Sequence, residues 1–205
     1  GHALLEEVEL EIGGQRIDKH YADWLEIWSE LTLPAEKRAG YKAMVGKYDG
    51  TSDAAFTGGK LYIPLIFFFN RNPGLALPLI ALQYHEVKIN IKFAPKATVA
   101  LGDALPTGDL SAQLYVDYVY LDTDERRRFA QVSHEMLIEQ LQFTGNETVS
   151  SGSNKIRLNF NHPVKELIWV VKDTSDGQLF DYGKDGDGYD NMGTTGGNSI
   201  TDPVT

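Results

Sequence analysis

The residues most capable of chemistry are few, and their spacing does not serve it. His134-Glu135 opens like the zinc-protease pattern HExxH, in which two histidines on one helix face hold the metal and the glutamate acts as base. Position 138 is Ile138, so the second ligand is missing. The other histidines, His2, His20, His85 and His162, show no ligand spacing, and a structural or surface role is expected for each. Asp181 to Met192 (DYGKDGDGYDNM) has the composition of a calcium loop, yet Gly183 stands at the third ligand position and Met192 where a bidentate glutamate belongs. A solvated loop is expected there. The paired carboxylates Glu6 and Glu7, or Glu9 and Glu11, could serve a glycosidase in principle. On an alternating strand they are simply its wet face. No GxSxG, phosphate-binding loop or dinucleotide fingerprint occurs, and the absence of cysteine removes thiolate ligands, thiol nucleophiles and disulfides. The expectation is no catalytic residue, no metal site and no cofactor. Asn146-Glu147-Thr148 is an N-x-T sequon in a predicted loop, which makes Asn146 a candidate glycosylation site.

The elements that would have to position a site are strands. Leu61 to Phe69 (LYIPLIFFF) is uncharged and rich in aromatic and branched residues, as in a strand buried on both faces. Asn70 to Gly74 breaks it with turn formers, and His85 to Phe93 then alternates strictly, with Val87, Ile89, Ile91 and Phe93 on one face. Leu4 to Ile12 alternates likewise, and Gly13-Gly14 followed by Gln15-Arg16-Ile17 reads as a hairpin. From Tyr21 to Leu31 the period becomes helical. Tyr21, Trp24, Leu25, Trp28 and Leu31 form the predicted inner stripe, with Asp23, Glu26 and Glu30 opposite.

A second helix is expected from Pro34 to Val45, and a third from about Asp124 to Val132 after an acidic start. Further strands are expected at Ser111–Leu121, about Met136 to Phe143, Lys155–Phe160 and Leu167–Val171. Lys47 to Lys60, Ala94 to Asp109 and everything after Asp173 read as loops. Strands dominate and helices sit in connections. The predicted class is therefore all-β, an antiparallel β-sandwich with short helices in its loops.

Net charge excludes one class of partner. At 205 residues and a formal charge of -10, the chain offers no clustered basic surface for nucleic acid. Arg126-Arg127-Arg128 directly follows Asp122, Asp124 and Glu125, a self-compensating helix face. No apolar run reaches the roughly 18 residues of a bilayer span. The chain starts at Gly1-His2 almost within a strand pattern and stops in a polar stretch, so an internal fragment of a longer protein is expected.

Four long blocks carry a resemblance. They are EEVELEIGGQRIDKHYADWLEIWSELT, LYIPLIFFFNRNPGLALPLIALQYHEVKINIKF, YLDTDERRRFAQVSHEMLIEQLQFTG and NFNHPVKELIWVV. In this order they closely resemble the major capsid proteins of large nucleocytoplasmic DNA viruses, of the iridovirus and algal-virus (phycodnavirus) type. The resemblance implies a jelly roll, one part of a tandem double jelly roll. Residues 1–121 would be the later part of the first roll, 122–134 the connector, and 135–205 the truncated opening of the second.

It also implies a structural subunit without enzymatic activity, three copies of which form a pseudo-hexagonal capsomer of an icosahedral shell. Its partners would be two further copies, neighbouring capsomers and minor capsid proteins. An internal viral membrane would lie nearby without being spanned, and there would be no direct contact with the genome. The location would be the virion capsid, assembled in the host cytoplasm. Trp24 and Trp28, lying in a connection, are the candidate subunit contacts. The competing reading is a carbohydrate-binding or carbohydrate-cleaving β-sandwich.

Overall fold

The computed structural model describes residues 1–47, 59–99, 108–171 and 180. After a short 3-10 turn at His2–Leu4, strand β1 (Leu5–Ile12) turns back into β2 (Gln15–Tyr21) as an antiparallel hairpin. Gly13 and Gly14 both take positive φ, 60° and 79°, which a two-residue hairpin turn of matching twist requires. Gly13 is doubly constrained. Its N–H donates to the Glu86 carbonyl at 2.9 Å, and a Cβ there would lie 2.7 Å from His85 Nδ1.

Helices α1 (Ala22–Thr32) and α2 (Ala35–Val45) follow β2, then a helical turn α3 (Phe68–Arg71) and strand β3 (Val87–Phe93). A 3-10 turn at Pro73–Leu75, a second helical turn, α4 (Lys96–Val99), and helix α5 (Thr123–Gln131) complete the regular elements among the described residues. β3 pairs antiparallel with the free edge of β1, so the three-stranded sheet has the order β2-β1-β3.

Two bulges decide which side chains face inward. On β2 the register with β1 shifts at Ile17, so that Leu10 opposes Asp18 while Glu11 opposes Arg16. On β1 it shifts at Glu6, where Leu5 opposes Phe93 and Glu7 opposes Lys92. One extra residue on a strand moves everything beyond it to the other face. Leu5, Val8 and Leu10 therefore share the inner face despite their uneven spacing. They form the core with Leu25 of α1 and the consecutive pair Phe67 and Phe68. Burying each such side chain stabilises by about 1.5–3 kcal/mol.

The outer face is charged as expected, and its acids are answered by lysines across the ladder. Lys19 pairs with Glu7 at 2.9 Å and Lys92 with Glu6 at 2.5 Å. In solvent such pairs contribute little stability.

Several expected strands are absent, each for a physical reason. Leu61–Phe69 does supply the core through Phe67 and Phe68, yet it joins no ladder and its end curls into α3. Pro64 has no N–H to give a ladder, which suits an irregular buried segment better than a central strand. Ser111–Leu121, Met136–Phe143, Lys155–Phe160 and Leu167–Val171 likewise form no strand. Their alternation marks faces, but a strand exists only against a partner, and none pairs with these segments among the described residues. Leu167–Val171, expected to be buried, leaves Trp169 81% exposed. The stretch Lys47–Lys60 and the tail after Asp173 fall largely outside the described residues, and Ala94–Asp109, expected as a loop, is described at 94–99 and 108–109, where it includes α4.

α1 is also turned relative to its expected orientation. Its buried residues are Leu25, Glu26 and Ser29, while Leu31, assigned to the inner stripe, is exposed. α5 matches its sequence signature. The Asp122 carboxylate accepts from the Glu125 N–H at 2.8 Å and the Glu125 side chain accepts from the Asp122 N–H, a complete capping box. Asp122→Ala is expected to cost this helix about 1 kcal/mol, read as faster hydrogen exchange of the Glu125 amide with β1 unaffected.

Candidate functional site

The residues that sequence reasoning could assign to chemistry are dispersed and locally engaged. His134 Nε2–H donates to the Phe129 carbonyl at 2.8 Å, which folds the motif back onto the end of α5. Glu6, Glu7, Glu9 and Glu11 line the sheet's outer face beside lysines and Asn90, not a groove. Arg127 of the basic run pairs with Asp124 at 3.3 Å. The acidic segment Asp181–Met192 lies outside the described residues. Among the described residues no cluster of three or more His, Asp or Glu is arranged to hold a metal ion. Asn146 is exposed beside Gly145, whose φ is +96°.

Trp24 and Trp28 lie one turn apart on α1 and are both half-buried, with ring centroids 5.6 Å apart. The Arg71 guanidinium lies 4.2 Å from the centre of the Trp28 ring, a cation–π contact. Trp28 is thus engaged within the chain. The Trp24 indole N–H is buried without a partner.

Sequence reasoning missed two buried polar groups. The first joins the N-terminal turn, α1 and α2. Glu26, 3% exposed, receives His2 Nδ1–H at 2.6 Å and Lys47 Nζ at 2.5 Å, and the same ammonium reaches Glu30 at 2.6 Å. His2 Nε2 lies 2.9 Å from the Tyr41 hydroxyl. Burial alone would raise the Glu26 pKa, but the hydrogen bonds from His2 and Lys47 outweigh it and bring the carboxyl down to about 2. Burial, with Glu26 nearby, pushes the Tyr41 hydroxyl up to about 12.

A depressed carboxylate contributes stability above its unfolded value of 4.5 and loses it as pH falls toward about 2. Between pH 5 and pH 2.5 the chain is therefore expected to lose a Glu26 contribution on the order of 2–3 kcal/mol. Denaturant unfolding of wild type and Glu26→Gln should show their stability gap closing over that interval.

The second group is Asp18 and His20 on β2, facing inward beside Leu10 and Val8 because of the Ile17 bulge. Both are buried, with His20 Nε2 2.9 Å from Asp18 Oδ2 in a contact not aligned as a hydrogen bond. His20 stacks on Phe67 at 4.5 Å. Asp18 Oδ1 accepts from the Lys19 N–H and from the Leu141 N–H at 3.0 Å. These pairs hold elements together, and the first also borders a small pocket lined by His2, Glu30, Tyr41 and Lys47.

Many large apolar side chains are exposed. Ile91 and Phe93, on the inner face of β3, stay exposed, as do Leu114, Tyr115, Val116 and Tyr118. Tyr120 is 94% exposed. These apolar side chains are left uncovered by the described residues.

Comparison with known proteins gives this surface its context. Residues 1–122 match the family model described as the major capsid protein N-terminus, and residues 125–204 match that of the large eukaryotic DNA virus major capsid protein. The chain belongs to the family of viral major capsid proteins. It is 64% identical over 183 residues to the major capsid protein of Pyramimonas orientalis virus, covering 86% of this chain and 44% of that protein. It is 49% identical over 179 residues to the major capsid protein of Paramecium bursaria Chlorella virus 1, covering 81% and 40%. The chain thus spans less than half the length of these relatives.

A quasi-atomic model of the PBCV-1 virus capsid superposes with a TM-score of 0.66 at 48% identity, over 79% of this chain and 41% of that one. The antiparallel sheet with short helices in its connections is accordingly a piece of a jelly-roll capsid fold. No helix among the described residues is long and apolar enough to cross a membrane.

Proposed function

We propose that the chain is part of a non-enzymatic structural subunit that trimerises into pseudo-hexagonal capsomers and tiles an icosahedral virus shell. The observation that carries this reading is the run of uncovered apolar side chains from Leu110 to Val171 in a chain matched almost end to end by capsid family models. Covering that surface with the rest of the subunit and with other copies would drive assembly through apolar burial. In this reading residues 1–121 belong to a first jelly roll, 122–134 to a connector and 135–205 to the start of a second.

Neighbouring capsomers and minor capsid proteins are the proposed partners, and the virion is the proposed location, reached by assembly in the host cytoplasm. Trp24 is the better candidate for a subunit contact, because Arg71 already covers Trp28. Asn146 is accessible for glycosylation where a glycosylating machinery is present.

The test is the solution mass of the full-length protein by light scattering at neutral pH. A trimer that persists on dilution is expected, whereas a stable monomer would overturn the proposal.

A further inference from the structure

Among the described residues, the segment 136–143, which follows the connector helix, brings the two regions matched by separate family models into contact. Met136 packs against the core cluster of the first region. The Glu139 carboxylate accepts from Arg71 at 3.1 Å and from Lys165 at 2.6 Å, which holds it below the usual carboxylate range. The Gln140 side-chain amide donates to the Ile17 carbonyl at the bulge of β2. The Leu141 N–H donates to Asp18 Oδ1 at 3.0 Å, and the Phe143 ring lies 5.1 Å from that of Tyr21.

The contact therefore runs along β2 by side chains, without a backbone ladder. Asp18 is its one buried member. A carboxylate on the inner face of a sheet would be costly without donors, and the donor it finds outside its own strand is an amide of the second region. Arg71 contributes at the other end. Its Nε donates to the Ile66 carbonyl and its plane covers Trp28, so the guanidinium is fixed by the first region and presents Nη1 to Glu139 of the second.

We propose that residues 136–143 form a clasp by which the second capsid region is fastened to the β2 edge of the first, with Asp18 and Arg71 as its positioning residues. This rests on the two-region reading given above. The clasp makes the bulge at Ile17 functional, because without it Asp18 would face solvent. It also assigns the connector α5 a purely tethering part, since the fixed angle between the regions comes from the clasp and not from the helix.

Hydrogen exchange on the full-length protein tests this, comparing wild type with Asp18→Ala and with Glu139→Ala, which leaves the sheet core untouched. In both variants the Leu141 amide and its neighbours in 136–143 should exchange about tenfold faster or more, with β1 and β3 amides unchanged. Asp18→Asn keeps an acceptor oxygen and should retain most of the protection.

Unchanged exchange at 136–143 in both variants would overturn the clasp. So would equal loosening of β1, which would make Asp18 a core residue only. The wild-type mass in the same sample reads the capsomer proposal separately, because a monomer with a protected Leu141 amide would defeat trimerisation and leave the clasp standing.

Discussion

Phe67→Ala is expected to destabilise the protein by about 3–5 kcal/mol, the largest single effect of any core truncation here. Phe67 is 0% exposed and meets the core from a segment with no ladder of its own. Its ring stacks on His20 at 4.5 Å and lies 5.9 Å from Phe69, so removing it leaves a cavity against a stacked imidazole and the inner face of β1. Collapse of the segment into that space is opposed by Arg71, which ties its end to Trp28 of α1. Denaturant unfolding with an unchanged slope should report the loss. A cost under about 1 kcal/mol would mean the sheet does not close on this ring.

Glu26→Ala is the second large effect, expected at about 3 kcal/mol, at the lower end for breaking a buried ion pair because Lys47 keeps some solvent. The truncation leaves His2 and the Lys47 ammonium without the carboxylate that holds both, and Tyr41 with a histidine no longer oriented from its other side. α2 is then held chiefly by Val45 and by the Tyr62 N–H donating to the Met44 carbonyl. Faster exchange in α2 should accompany the lost stability, with the β1–β2 hairpin intact. Glu26→Gln keeps an acceptor and should fall between alanine and wild type. If alanine behaved as wild type, the cluster would not be what fixes α2.

Local signals made much of this fold legible in the sequence. Gly13-Gly14 between two alternating runs specified the hairpin, the strict alternation from Val87 specified β3, and Asp122 with Glu125 specified the start of α5. What failed depended on residues far apart in the chain. Hydrophobicity placed Glu26 on the wet side of α1, because nothing local announces partners 24 and 21 residues away at His2 and Lys47.

Asp18 and His20 were hidden by the Ile17 bulge. An unbroken register from the Gly13-Gly14 turn would set Ile17 opposite Leu10 and turn Asp18 outward. The run from Leu61 looked like a central strand because composition reports burial and not backbone pairing, and Pro64 was the one local warning. The later alternating segments are a different case. Their faces were read from period, but no partner strand pairs with them among the described residues, and period alone does not make a strand.

The capsid reading came from long blocks of resemblance, not from any site, and the family matches bear it out. The candidate contacts Trp24 and Trp28 were chosen for their place in a connection. Nothing in the sequence signalled that Arg71 would occupy the face of one of them.

Electron microscopy of the purified full-length protein tests the central claim most directly. Compact particles of pseudo-hexagonal outline with threefold symmetry are expected, in which Tyr120 and Trp169 are covered. Single globular monomers, or particles without threefold symmetry, would contradict it.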